Sequence, residues 1–419
     1  MNNVHSAVGA ADGQRGANVA PVHACPTHRS AAIAGVQFRI FEDLASAEPS
    51  WRRLEIDGDC TLFQTFDFLI AWQRHVGNRK RVTPATVVLV RNNDLLAILP
   101  LGVTATPIRR LIWLGQGFCD YLGPLLARDF GKDVPAPRFE ALWREIRTQL
   151  QADPRFRYDV IEFCNMPEQI GGQRNPFLSL PLIRHPSSCY LVKLDCAEAE
   201  FYRRRRSAKA RKQDRSKLKR MQEFGRVEIF TPDSPPEIEQ TLQVLFAQKA
   251  RTFARKGIPD PFQRPGYREL HFDLALSPQT RDMVHVSALR VGADTAAVNF
   301  GAVHRGRYSL LQVGYSEKYA RFSPGVLHLN ELFRRAFRLG LKEFDFLAGY
   351  QRLKAEWADR EIPLFDHISA ETVRGWPYAV AAYTHINLKR FIKQTPALWD
   401  LLVRVRAAAA AIRNRRRFD

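Results

Sequence analysis

Apolar positions along the chain follow two spacings, which alternate from Val36 onward. Apolar side chains at every second position are typical of strands, and apolar side chains three or four positions apart are typical of helices. Asn92-Asn93-Asp94 is a turn signal between two such strands and predicts a hairpin there. In the first half the pattern predicts strands at Val36–Phe41, Thr86–Val90, Leu95–Leu99, Leu111–Leu114 and Tyr158–Phe163, and helices at Phe66–His75 and Phe139–Leu150.

The second half of the chain repeats this order of elements. It predicts strands at Val284–Val291, Ala296–Val303, Tyr308–Tyr315 and Lys342–Leu347, with a helix at Val326–Leu339 before the last strand. Each half therefore reads strand, strand, strand, loop, helix, strand, without shared residue identities. This weak repeat predicts an α/β fold made of two similar mixed-sheet units. The alternative is that the two halves are unrelated and are similar only because few orders of strands and helices are common in α/β proteins.

The length of 419 residues also favours more than one domain. No apolar run approaches the roughly 18–20 residues that span a bilayer. We expect a cytoplasmic protein with reduced thiols, because the six cysteines are scattered and form no CxxC pair, which argues against a disulfide framework and a zinc site. The predicted division is a disordered segment 1–35, a first unit 36–198, a basic connecting helix 199–225, a second unit 226–370 and a helical basic tail 371–419.

The net charge of +20 is concentrated in two places and indicates anionic partners. Residues 203–220 contain eleven Lys or Arg and one acid, Asp214, and the segment from Arg404 to Arg417 adds six arginines. A solvated connecting helix explains the first cluster, and nucleic-acid binding is the competing interpretation, although no nucleic-acid motif accompanies it. The arginine-rich tail is compatible with peripheral contact with an anionic membrane, but it lacks a strong apolar anchor in sequence.

Ser323-Pro324-Gly325 is the feature of the sequence that most directly suggests a ligand. Serine suits a helix N-cap, proline suits the first helical position, and glycine permits close approach by a ligand. The free N–H groups of a helix start bind phosphate readily. The corresponding loop of the first half has Gly123-Pro124, where proline removes a donor. The second unit is thus the predicted anion binder, and an ordinary capped helix is the alternative.

Polar residues near this helix are candidates for chemistry. Asp345 lies in the apolar strand Phe344-Asp345-Phe346, where burial either raises its pKa towards that of a general base or requires a structural hydrogen bond. Lys354 follows the strand, and next to a phosphate or a developing oxyanion it would stabilise negative charge. Asn299, His304 and Tyr315 lie in or beside predicted strands, where structural roles are the commoner explanation.

Taken together, these motifs resemble the CelD-like type of GNAT-superfamily acetyltransferases, a family associated with cellulose and exopolysaccharide gene sets. The resemblance spans about residues 36–370. It is carried by the basic helix ending in Glu223-Phe224-Gly225, by Phe322-Ser323-Pro324-Gly325 and by Phe344-Asp345-Phe346 with Gly349 and Lys354-Ala355-Glu356-Trp357. Asp120-Tyr121-Leu122-Gly123-Pro124 in the first half also looks like the family pattern.

The resemblance implies two tandem GNAT-like units, as in FemAB-type proteins, and an acyl-CoA donor such as acetyl-CoA with no metal. The implied acceptor is an amine or hydroxyl of a small molecule, sugar or peptide, and the family's own basic helix argues against nucleic acid. Asp345 is the first candidate for the base and His304 the second, Tyr315 or Tyr350 would protonate the thiolate, and Lys354 would support transfer. By the resemblance, the residues that would line the pyrophosphate loop of the donor are Arg321, Phe322, Ser323, Gly325, Val326 and Leu327. The backbone N–H groups of Asn299, Phe300 and Gly301 are the candidates for polarising the thioester carbonyl.

Two other functions stay open on the sequence. A FemAB-like transferase would use aminoacyl-tRNA, and then the helix at 203–220 would bind RNA. A non-catalytic module would bind an anionic surface or nucleic acid, with a steep salt dependence and no affinity for acyl-CoA.

Overall fold

A computed structural model of the chain describes residues 35–349 and 352–415, so most of the predicted disordered segment lies outside the described residues. The strands are β1 (Val36–Phe41), β2 (Val82–Pro84), β3 (Thr86–Arg91), β4 (Asp94–Leu99), β5 (Leu101–Thr104), β6 (Arg110–Trp113), β7 (Leu125–Leu126), β8 (Val160–Pro167), β9 (Gln169–Ile170), β10 (Gln173–Arg174), β11 (Ile183–Arg184), β12 (Cys189–Lys193), β13 (Val227–Phe230), β14 (Val284–Val291), β15 (Asp294–His304), β16 (Arg307–Tyr315), β17 (Glu343–Ala348), β18 (Arg360–Ile362) and β19 (Leu364–Ala370). The helices are α1 (Leu44–Asp57), α2 (Phe66–Trp72), α3 (Phe130–Asp133), α4 (Ala136–Ala152), α5 (Glu198–Arg205), α6 (Ala208–Gln222), α7 (Pro235–Lys256), α8 (Tyr267–Leu276), α9 (Pro324–Arg338), α10 (Arg352–Trp357), α11 (Trp376–Gln394) and α12 (Pro396–Arg415).

The first unit is built on two larger sheets, with strand orders β1-β3-β4-β7 and β11-β19-β8-β6-β5-β2, and on a two-stranded sheet of β9 and β10. The predicted hairpin joins β3 and β4, and its turn residues Asn92 and Asn93 both have positive φ, at 49° and 73°. Asparagine tolerates this left-handed conformation better than most residues, so the turn chemistry fits the strand pairing. The strands β6 and β8 run parallel and are connected through α4.

The second unit contains one sheet with the order β13-β14-β15-β16-β17-β12-β18. Here too a parallel pair, β16 and β17, is connected through a helix, α9. The buried face of α9 includes Leu329, Leu332, Phe333 and Ala336, as the apolar spacing predicts. Phe333 stacks on Trp357 with ring centroids 4.8 Å apart and contacts Phe344 of β17 at 4.4 Å. This aromatic cluster packs α9 against the sheet.

The two units exchange strands. In the second unit, β17 pairs with β12, which comes from the sequence range predicted for the first unit. In the first unit, β8 pairs with β19, which comes from the range predicted for the second. The boundaries predicted at residues 198 and 370 therefore do not follow the division between the sheets. Apolar alternation shows that a short strand exists, but it does not show which sheet the strand joins.

The connecting segment and the tail are helical. The basic segment forms two helices, α5 and α6, which break at Arg206-Ser207, and Asp214 pairs with Arg206 at 2.7 Å. The tail forms α11, which contacts β19 and β11 of the first unit, and α12, which contacts α7 of the second unit. The predicted fold class, an α/β fold of two mixed-sheet units with a basic connection and a helical tail, is confirmed. Among the described residues, no helix is long and apolar enough to cross a membrane.

Candidate functional site

The parallel strands β16 and β17 separate and open a cleft in the second sheet. They pair only from Arg307 to Ser309 and from Glu343 to Asp345. Just beyond Ser309, β16 also shifts register against β15, between Phe300 and Ala302. Such bulges bend a strand and locally interrupt its ladder. The edge of β16 past Ser309 therefore turns away from β17 and borders a cavity.

The cavity has a volume of about 640 Å³, which is within the usual range for small-molecule sites. It is bounded by β16, by the first turns of α9, by the end of β17 and by α7. One residue of the first unit, Asp120, completes its wall. The lining residues are Asp120, Lys249, Thr252, Lys256, Leu310, Leu311, Gln312, Val313, Tyr315, Ala320, Ser323, Pro324, Gly325, Val326, His328, Leu329, Leu332, Phe346, Ala348 and Lys354.

The start of α9 lies at this cavity. Ser323 occupies the N-cap position in a left-handed conformation, with φ 56°, but its side chain does not cap the helix. Its hydroxyl instead accepts a hydrogen bond from Lys217 Nζ of α6 at 2.9 Å. The N–H groups of Val326 and Leu327 bond to the Ser323 carbonyl, at 2.9 and 3.2 Å. A Cβ added to Gly325 would meet nothing within 4 Å. The first turn thus offers open space and a positive helix terminus, which suits an anion.

Lysines give the cavity a positive charge. Lys249 and Lys256 project from α7, and Lys354 projects from α10. The pKa of Lys249 is lowered to about 8, mainly by burial and also by the nearby charges of Lys256 and Lys354. Within the described part of the chain, Lys249 forms no ion pair with a carboxylate. Because a partly buried, uncompensated ammonium is costly, this wall gains from an anionic ligand.

Lys354 closes the end of β17. Its Nζ donates to the carbonyl oxygens of Phe346 at 2.7 Å, Ala348 at 3.0 Å and Leu347 at 3.4 Å. Burial lowers the pKa of Lys354, and Asp120 is the main charge that opposes this change. Leu347 has φ 58°, a left-handed conformation that is strained for this residue type. The strained strand end and the lysine that binds its carbonyls together form one wall of the cavity.

Asp120 is a residue that the sequence interpretation missed as a candidate. It lies in the loop between β6 and β7 of the first unit, and its carboxylate accepts a long hydrogen bond from the Ala348 N–H at 3.3 Å. Burial raises the pKa of Asp120, and the charge of Lys354 is the main opposing effect. The signal was present, since Asp120-Tyr121-Leu122-Gly123-Pro124 belongs to the family resemblance. Because Asp120 lies in the first unit, nothing in the sequence indicated that it lines a cavity of the second unit.

Asp345 is close to the cavity but does not line it. Its carboxylate is fully buried and accepts hydrogen bonds from the Tyr121 hydroxyl and the Leu347 N–H, both at 2.8 Å, and it lies 3.5 Å from Arg307. Burial raises the pKa of Asp345 to about 6, while Arg307 is the main opposing influence. The bond to the Leu347 N–H supports the left-handed turn at the end of β17. These contacts fit a positioning role.

His304 lies at a second cavity, of about 330 Å³, between the two units. Its Nε2 is 3.7 Å from Cys60 Sγ. Burial, followed by the charges of Arg305 and Arg307, lowers the pKa of His304 to about 4, so its imidazole is neutral at pH 7. The structure does not bring His304 together with Lys354 in one cavity.

Tyr315 lines the cavity, and its hydroxyl accepts a hydrogen bond from Arg255 at 3.1 Å. Tyr350 lies outside the described residues.

Of the residues predicted to bind the donor, Ser323, Gly325 and Val326 line the cavity. Phe322 and Leu327 are buried in a small apolar cluster with Met221. The exposed Arg321 instead packs on an aromatic ring, with its guanidinium 4.8 Å from the centre of the Phe322 ring.

The structure corrects the role predicted for the backbone of Asn299, Phe300 and Gly301. Asn299 and Phe300 lie in the central strand β15 and pair with β14 on one side and β16 on the other. The Asn299 side chain donates to Tyr308 Oη at 2.8 Å, and Gly301 packs closely against the same ring. Ladder pairing thus occupies both sides of Asn299 and Phe300, and the backbone that borders the cavity belongs to β16 instead.

Residues 208–355 match the family model described as "Acetyltransferase (GNAT) domain". This range begins with α6 and ends just after Lys354, so it contains the cleft, the start of α9 and most of the cavity wall. This part of the second unit is therefore similar to a GNAT acetyltransferase domain. The finer resemblance to the CelD-like family stays a prediction. None of the curated proteins matches this chain.

Several solved structures align with most of this chain. A crystal structure of FemX aligns with 80% of this chain and 98% of its own, with a TM-score of 0.55 and 9% identity. The C-terminal domain of a putative lysylphosphatidylglycerol synthetase from Agrobacterium fabrum aligns with 81% of this chain and 95% of its own, at TM-score 0.47 and 12% identity. A tandem GNAT protein from the clavulanic acid biosynthesis pathway aligns with 80% and 98%, at TM-score 0.40 and 10% identity. At such identities, the FemX alignment shows a common fold and nothing about substrates.

Proposed function

We propose that the protein is an acyltransferase that moves an acetyl or other acyl group from acyl-CoA to an amine or hydroxyl. The observation that carries this proposal is the separation of β16 and β17 at a cationic cavity that contains the start of α9. The cavity is large enough for a thioester arm together with part of an acceptor. The match of this region to a GNAT acetyltransferase domain supports the same chemistry.

In this proposal the donor pyrophosphate lies at the first turn of α9. The open space at Gly325 admits a phosphate, and the helix terminus attracts its charge. Lys217 is near enough to share the site, because its ammonium already contacts Ser323. Lys249 and Lys256 supply charge from the opposite wall. The thioester then extends between β16 and β17. Beyond Ser309, the edge of β16 that faces β17 has no strand partner among the described residues.

The chemistry requires a base, a stabiliser of negative charge and a proton donor. The acceptor nitrogen or oxygen attacks the thioester carbonyl, the base removes its proton, and the carbon–sulfur bond breaks to release a thiolate. We place Asp120 ahead of Asp345 as the base, because Asp120 lines the cavity and the Asp345 carboxylate is enclosed. Lys354 stabilises the developing charge, and Tyr315 protonates the thiolate. Proximity of the two substrates supplies much of the rate enhancement.

The family resemblance suggests a setting in exopolysaccharide or cell-envelope biosynthesis in the cytoplasm. The acceptor is then a sugar, a peptide or a small molecule. These finer statements rest on the resemblance and on the fit of the cavity.

The test is a thiol-release assay with acetyl-CoA and longer acyl-CoA donors against a panel of amines and hydroxyl compounds. We expect acceptor-dependent release of free CoA, and its loss on Asp120→Asn. A matched control is Asp282→Asn, which changes an exposed aspartate outside the cavity and should leave turnover unchanged. Absence of both acyl-CoA binding and thiol release with every donor would remove the proposal.

An aminoacyl-tRNA-dependent transfer is the second candidate. The observation in its favour is that α6, with exposed Lys212, Arg215 and Lys219, lies next to the cavity entrance through Lys217. Charge-reversal of these three exposed residues distinguishes the two. Turnover with acyl-CoA that survives the substitutions supports the first function, and turnover that depends on charged tRNA and on these residues supports the second.

A further inference from the structure

The C-terminal helices expose apolar side chains in stripes. On α11, Trp376, Tyr383 and Phe391 are 63%, 54% and 60% exposed. Val380 is exposed between them, and the four positions share one helix face at a period of 3.6 residues. On α12, Leu398, Leu401 and Val405 are also exposed, at spacings of three and four positions. A folded protein rarely leaves so many large apolar side chains in water on adjacent helices without a partner.

Basic residues accompany these stripes. Residues 376–415 contain seven Lys or Arg and one acid, Asp400. Lys389, Arg404 and Arg406 are exposed. An amphipathic helix with aromatic and aliphatic residues on one face and Lys or Arg beside them is typical of segments that lie in the interface of an anionic bilayer. Tryptophan and tyrosine are particularly suited to that interface, because their rings are apolar and carry a polar group.

Other occupants fit less well. Residues 1–34 contain no Leu, Phe, Tyr or Trp, so they offer few side chains to cover an aromatic stripe. A second copy would bring together two chains with a net charge of +20 each. A nucleic acid would neutralise the arginines but leave Val380, Leu401 and Val405 exposed to water.

We propose that the exposed apolar side chains of α11 (Trp376, Val380, Tyr383 and Phe391) and of α12 (Leu398, Leu401 and Val405), together called the tail stripe, bind the surface of an anionic phospholipid bilayer. The helices lie on the membrane and do not cross it. The arginine-rich segment by itself has no strong apolar anchor. In this proposal the exposed apolar side chains of α11 are the anchor. The proposal is independent of acyl transfer, because it uses no residue of the cavity.

The test is co-sedimentation of the full chain with phosphatidylcholine vesicles and with vesicles that also contain phosphatidylglycerol. We expect binding to the anionic vesicles that weakens with salt. The triple variant Trp376→Ser, Tyr383→Ser, Phe391→Ser should lower the partition coefficient about tenfold or more. The pair Arg404→Gln and Arg406→Gln should lower it on the order of fivefold for each arginine. All of these side chains are exposed, so unchanged thermal unfolding will verify that the variants fold.

Two controls place the effect on the tail. Ile56→Ser removes an apolar side chain that is 76% exposed on α1, and Arg281→Gln removes an exposed arginine from the second unit. Both variants should bind vesicles like the parent chain. The proposal is overturned if anionic vesicles do not bind the protein or if the triple variant binds them equally well. It is also overturned if light scattering shows that the parent chain is a dimer and the triple variant is a monomer, because a second copy would then cover the tail stripe.

Discussion

Replacing Lys249 by methionine is expected to make the ligand-free protein more stable and to weaken its binding of acyl-CoA. Lys249 is held in a partly buried position beside Lys256 and Lys354, and its ammonium lies 5.1 Å from the centre of the Phe253 ring. Methionine keeps most of the apolar stem and removes the charge. The opposite signs of the two effects distinguish a ligand-binding lysine from one that serves the fold.

The magnitude follows from the change in proton affinity. The fall in the pKa of Lys249 from 10.5 to about 8 means that the fold disfavours its charged form. At roughly 1.4 kcal/mol for each tenfold change in proton affinity, this cost is about 3 kcal/mol at most. The cost is fully present below about pH 8, declines as pH rises from there to the unfolded value, and is absent above it. Lys249→Met should therefore raise the free energy of unfolding by about 1–3 kcal/mol at pH 7 and much less at pH 10.

The assay is denaturant unfolding at the two pH values, together with calorimetric titration of acetyl-CoA at pH 7. Lys256→Met is the matched control, because Lys256 lies on the same helix and cavity wall but is exposed. It should change the free energy of unfolding much less than Lys249→Met, because burial is the main cause of the Lys249 shift. The reasoning is refuted if Lys249→Met destabilises the protein at pH 7, or if its stability gain is the same at pH 10. Unaltered affinity for acetyl-CoA would show that Lys249 does not contribute to binding of the donor.

Two further predictions concern the end of β17. Lys354→Met should lower the free energy of unfolding by about 1–3 kcal/mol, because it leaves the carbonyls of Phe346 and Ala348 without their donor; denaturant unfolding measures this, and an unchanged midpoint would contradict it. Asp120→Asn should lower turnover by about 10²-fold or more, whereas Asp345→Asn, at an enclosed carboxylate, should lower it by less than about tenfold. Steady-state thiol release compares the two variants, and the reverse order would return the base assignment to Asp345.

The sequence was most informative where a local pattern determines local structure. The spacing of apolar residues placed β14, β15, β16, α9 and β17 correctly, because the strands are mostly apolar runs and the helix has one buried face. Ser323-Pro324-Gly325 likewise placed the start of α9. The resemblance placed Lys354 after the closing strand, where it now binds the carbonyls of β17.

The sequence was least informative about contacts between distant segments. It did not indicate that β12 and β19 exchange sheets, because a short apolar strand has no signal for its partner. It also did not indicate that Asp120 lines the cavity, because this contact joins a loop of the first unit to the second unit. The helix α7 was also missed, although Ser234 and Glu237 form a capping box at its start and apolar residues follow at helical spacing. Because α7 was not predicted, Lys249 and Lys256 were not among the candidate site residues.

Calorimetric titration of acetyl-CoA into Gly325→Glu tests the central claim, that the start of α9 holds the donor pyrophosphate. The parent chain should bind acetyl-CoA, and the substitution should weaken binding at least about tenfold, because a carboxylate would enter the space and meet the phosphate charge. Gly172→Glu is the matched control, since a Cβ there also meets nothing within 4 Å and lies outside the cavity. Equal affinity of the parent and both variants would contradict the account.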